Sequence, residues 1–121
     1  MARKILVSAV VIPDGIAYNQ LVHVESDGNL SMRPVDSELS ETRFVNGIMF
    51  SCHPESLASI LSLLHNTPGG IPEKCTNLLT HHSPQLLPLS PPTLHIYDLQ
   101  TASLLKVSLH PPMSDFPQGM C

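Results

Sequence analysis

Tryptophan is absent from this 121-residue chain, and its aromatic residues are three Phe and two Tyr. A core built here cannot rest on large rings and must be assembled from Leu, Val and Ile. Positive charge is also scarce: six Lys and Arg stand against ten Asp and Glu, for a formal charge of −4. The six cations, Arg3, Lys4, Arg33, Arg43, Lys74 and Lys106, are scattered along the chain. Nucleic-acid binding needs clustered cations to neutralise phosphates, so no nucleic-acid partner is expected. An anionic membrane surface is disfavoured on the same ground.

Long apolar runs are missing too. No stretch approaches the ~18 apolar residues of a membrane helix, so no membrane partner is expected. Arg3-Lys4 followed by Ile5 to Ile12 imitates the charged and apolar parts of a secretory signal. Pro13-Asp14-Gly15 cuts that stretch short, which favours a first β-strand over a cleaved leader of residues 1–17. The cysteines, Cys52, Cys75 and Cys121, are odd in number and irregular in spacing. That pattern argues against a disulfide framework and for reduced thiols in a cytoplasmic protein.

The familiar catalytic and cofactor signatures are absent as well. There is no GxGxxG, Walker loop, GxSxG, HExxH or CxxC. No cofactor and no catalytic residue are therefore assigned, and an enzyme is the less favoured reading.

What is present is a series of short β-rich runs separated by turn chemistry. Residues 4–12 are apolar on both faces, as a central or covered strand requires. Pro13-Asp14-Gly15 supplies a turn, because Pro presets φ and Gly tolerates positive φ. Residues 17–25 alternate, with Val22 and Val24 on one face and Leu21, His23 and Glu25 on the other. Ser26-Asp27-Gly28-Asn29 holds the Asp-Gly pair of tight hairpins, and 29–33 form a short third strand closed by Pro34. Asp36 to Glu41 reads as an acidic loop. Residues 43–51 form a fourth strand with Asn46-Gly47 as a turn or a bulge inside it.

His53-Pro54-Glu55 opens a helix, since Pro suits the first helical position and Glu the first turn. Leu57, Ile60, Leu61 and Leu64 follow at helical spacing, predicting an amphipathic helix over 54–65. Burying those four side chains contributes roughly 1.5–3 kcal/mol each, enough to dock the helix on a sheet. Residues 67–92 hold six prolines among leucines and read as a Pro/Leu-rich loop without regular helix through much of its length: a linker, an extended ligand for another domain or a loop packed on the surface. Residues 93–109 read as a hairpin and 110–121 as a loose tail. The predicted fold is a single α+β, mainly β domain over 1–121. It has an antiparallel β-meander at 4–51, one helix and a C-terminal hairpin.

Seven histidines raise a metal hypothesis, with Cys52, His53, His81, His82 and His95 as candidates. Zinc requires ligands that converge, from recognisable close pairs. Cys52-His53 and His81-His82 are adjacent instead, and neither HxH nor His-x₃-His occurs. Cys52 beside a helix start invites a lowered thiol pKa, yet no orienting third residue accompanies His53, so a buried structural thiol is the simpler reading.

Val10 to Gly15, Ser26 to Met32 and Phe44 to Ile48 follow an order that resembles the N-terminal composite β-domain of amidohydrolase-type metal-dependent hydrolases. That resemblance implies a strand with a "pDG" turn, a second glycine turn and a strand leading toward a barrel. The family then continues with two metal-binding histidines one residue apart. Here Met49-Phe50-Ser51-Cys52-His53 offers a single histidine, and the residues that follow are too few for a barrel. The resemblance implies at most a free-standing relative of the accessory domain.

The functional expectation is a non-catalytic interaction or structural module. Its partner would be another protein, or a second copy meeting through a sheet edge or the leucine-rich segment. A small metal-binding protein related to those hydrolases is the alternative.

Overall fold

A computed structural model describes residues 3–25, 29–34 and 42–105. The predicted acidic loop, the 110–121 tail and the end of the predicted hairpin lie outside the described residues.

The architecture is α+β and mainly β: one mixed sheet carries two helices. The strands are β1 (Arg3–Ile12), β2 (Gly15–Val24), β3 (Leu30–Pro34), β4 (Thr42–Cys52), β5 (Leu86–Leu87), β6 (Leu94–Asp98) and β7 (Ser103–Leu104). Helix α1 spans Leu57–Asn66, after a 3₁₀ turn at Pro54–Ser56, and α2 spans Ile71–His82.

β1 and β2 pair antiparallel across Pro13-Asp14, with Ile12 opposite Gly15, as the turn chemistry predicts. β2 and β3 also pair antiparallel. The meander then fails. β4 does not continue beyond β3; it lies on the other side of β1 and parallel to it, giving the order β3-β2-β1-β4-β6-β7. β1 gains partners on both edges by this arrangement, which suits a strand apolar on both faces. β6 pairs antiparallel with β4 over Gly47–Ser51, β7 closes the hairpin with β6, and β5 adds a short pair at the end of β4.

Helix α2 corrects the expected loop at 67–92. Pro72 occupies the first turn, where its missing N–H costs nothing, and Pro84 falls after the helix has ended. Gly70 is the N-cap residue, and its N–H donates to Glu73 Oε1 at 2.8 Å. The prolines therefore bracket the helix and do not interrupt it.

One core lies between the sheet and the helices: Ala9, Val11, Ile48, Phe50, Cys52 and Tyr97 pack against Ile60, Leu64, Cys75 and Leu78. A second cluster occupies the far face: Ile5, Val7, Val10, Val22, Val24, Val45, Met49 and Ile96, with Leu89 and Leu94 packed against it. Leu86 and Leu89, from the Pro-rich segment, thus reach opposite faces of the sheet.

Candidate functional site

The two clusters expose a defect in the sheet. Val7 and Val10 share the far face while Ala9 and Val11 face the helices, so alternation in β1 slips once at Ser8. β2 slips with it. Val22 and Val24 face away from the helices, yet Ile16 packs toward them. The change falls at Asn19, whose φ of 53° is in the left-handed region that Asn tolerates.

β4 keeps its alternation but carries one extra residue. Val7 pairs with Val45 and Ala9 with Ile48, so Asn46-Gly47 form a bulge opposite Ser8. The predicted turn or bulge at this pair is thereby resolved as a bulge. Gly47 is required there: a β-carbon would collide with the Tyr97 carbonyl oxygen of the neighbouring strand. The bulge is tied on both sides. Ser8 Oγ donates to Asn46 Oδ1 at 2.9 Å, and the Leu99 N–H donates to the Asn46 carbonyl at 3.0 Å.

These irregular positions open a shallow depression of about 370 Å³, lined by Leu6, Ser8, Asn19, Phe44, Asn46 and Gln100 among others. Among the described residues that line it, the polar side chains are amides and a hydroxyl, with no ionisable group. Phe44 borders it and is 61% exposed, on a strand whose segment from Gly47 to Cys52 is buried. Tyr18 is the other exposed large hydrophobic residue described, and it stands next to Asn19. Ser8 gives its proton to an amide oxygen, not to a base, so nothing activates it as a nucleophile.

The metal candidates do not assemble. Among the described residues, no three His, Cys, Asp or Glu side chains come together as a metal site requires. Cys52 ends β4 fully buried, and burial first, then the Glu55 carboxylate, push its thiol up and not down. The helix start beside it does not activate the thiol. His53 is exposed in the turn that follows. His81 and His82 end α2, where His82 Nδ1 lies 3.3 Å from Gln85 Oε1. His95 is on β6 opposite Phe50, with ring centroids 5.7 Å apart, and burial lowers its pKa. Cys75 is buried in α2 with its thiol pushed up to about 12 by desolvation.

Outside these, His23 places Nδ1 3.1 Å from Glu25 Oε2, while its Nε2 is buried with no partner among the described residues. No described helix is long and apolar enough to cross a membrane.

Sequence reasoning singled out Asn46-Gly47 but not Asn19 or Gln100. The Asn-Gly pair inside a strand was the signal for the former. Gln100 had none, because its place beside Asn46 depends on how β4 and β6 pair. No protein-family model, curated protein or solved structure matches the chain.

Proposed function

We propose that this chain is a non-catalytic interaction module, and that its contact surface is the open patch around Phe44. The observation that carries this reading is Phe44 itself, 61% exposed at the rim of a depression whose described lining residues carry no charge. Exposed aromatic rings next to neutral hydrogen-bonding groups are the composition of protein-binding centres, where charge is depleted. Among the described residues, the depression offers amide donors and acceptors without a general base, an activated nucleophile or a ligand set. The likeness of Val10–Ile48 to a hydrolase accessory β-domain supports the same reading, since such a domain carries structure and contacts while the chemistry lies elsewhere.

The experiment compares the proteins retained from a native extract by the wild type and by Phe44→Ser, at matched thermal stability. A saturable partner lost by the variant is the expected result. Retention of the same set by both proteins would withdraw the proposal. A light-scattering mass at high concentration tests whether the partner is a second copy.

A further inference from the structure

β4 is paired with β1 along most of its length, but β6 covers its other edge only from Gly47 to Ser51. The chain leaves β6 after Asp98 and turns into β7. Among the described residues, Arg43 to Val45 therefore have no strand on the side away from β1. Among the contacts described for residues 43–46, Leu99 N–H to the Asn46 carbonyl is a main-chain bond on that side. Main-chain polar groups alternate sides along a strand, so the N–H and C=O of Phe44 turn toward the same open edge.

Exposed strand edges take up further strands. Two features select the occupant. Arg43 and Phe44 are both exposed, and as consecutive strand residues they present a cation on one face and a ring on the other. A second copy is poorly suited. Antiparallel self-pairing centred on Phe44 would place Arg43 opposite the copy's Val45, which offers that cation no anion. Pairing centred on Arg43 would set that cation against its own copy, and like charges directly opposite are destabilising.

Resting on the interaction-module reading above, we infer that the Arg43–Val45 edge of β4 binds an extended peptide segment of another protein by strand addition. The segment carries an apolar residue beside Phe44 and an acidic residue beside Arg43. Its main chain pairs with Phe44, and one apolar side chain lies over the depression between Ser8, Asn46 and Gln100.

The test uses the full isotope-labelled chain and the peptide acetyl-Val-Glu-Val-Glu-Val-amide, with acetyl-Val-Lys-Val-Lys-Val-amide as its counterpart. Saturable amide shifts at 43–46 and 99–100 with the acidic peptide are expected. Arg43→Glu should reverse the preference toward the lysine peptide, by roughly two- to fivefold in each direction. Two copies of the acidic peptide, N-methylated on alternate residues in opposite phases, separate strand pairing from adhesion. One phase should lose binding and the other keep it.

Equal binding of both phases overturns the inference, as do shifts confined to α1 and α2 or no saturable shift with either peptide. A dimer whose interface maps to residues 43–45 overturns it in favour of self-pairing. Failure of the peptides leaves the module reading to stand or fall on the partner lost by Phe44→Ser.

Discussion

Replacing Lys74 with Met should destabilise the fold by removing the closure of helix α1. Lys74 is 8% exposed, and its Nζ donates to the Leu64 carbonyl at 2.5 Å and to the Thr67 carbonyl at 2.6 Å. Helix α1 ends at Thr67 in an extended conformation, without a left-handed glycine to close its last turn. Its terminal carbonyls are satisfied from elsewhere: Thr67 supplies both its N–H and its hydroxyl to Leu63, and Lys74 reaches back from α2 to Leu64. The ammonium also sits at the negative end of the α1 dipole. Hydrogen bonds to a charged donor contribute about 1.5–3 kcal/mol each, and the Met side chain recovers part of that through apolar burial. The expected net loss is about 3 kcal/mol. A chain of this size has roughly 6–18 kcal/mol in all. Urea unfolding followed by circular dichroism measures it, and at a slope of about 1–3 kcal/mol per molar the midpoint moves by about 1 M or more. A Met variant within about 1 kcal/mol of wild type would refute the capping role.

Three further outcomes follow from the same geometry. Gly47→Ala should cost about 3 kcal/mol or leave no soluble protein, because the obstacle is the Tyr97 backbone and not a movable side chain; an unchanged melting temperature would contradict this. His95 has its folded pKa lowered below 6.5 by burial, so the unfolded chain binds more protons between the two values. Its contribution to stability is complete above pH 6.5 and is lost as pH falls through the lowered value. His95→Gln should flatten that part of the urea-midpoint profile; identical profiles would count against it. Cys52 and Cys75 should resist a pulse of iodoacetamide at pH 8 in the native protein and react once it is unfolded, since both are fully buried with raised thiol pKa values. Rapid native labelling of Cys75, read by peptide mass, would contradict the packing.

The strand ends were legible because local chemistry sets them: Pro13-Asp14-Gly15 closes one hairpin, Pro34 ends β3 and Asn46-Gly47 marks the bulge. α1 was legible from the spacing of Leu57, Ile60, Leu61 and Leu64. α2 was obscured by counting prolines over a window instead of locating them. Pro72 and Pro84 stand at its start and beyond its end, and residues 73–83 contain none. The place of β4 was not legible at all. Alternation says that a strand has a buried face, but not which strand lies beside it. The depression inherits this limit, because Ser8, Asn19 and Gln100 meet only once β4 has chosen β1 and β6.

The parallel β1–β4 pairing has a consequence for how the chain acquires its shape. Ser8 and Asn46, joined across that pairing, are 38 positions apart. Closing so long a loop is an entropic step that local hairpins cannot share. During synthesis β1 can form a hairpin with β2 at once, but its second edge stays open until residues past 50 have emerged. Only then does the surface of Ala9, Val11, Ile48 and Phe50 exist for α1 and α2 to cover. The helix-facing core therefore closes only after β4 has been made. The first three strands bury the second edge of β1 only against a strand that is made after them.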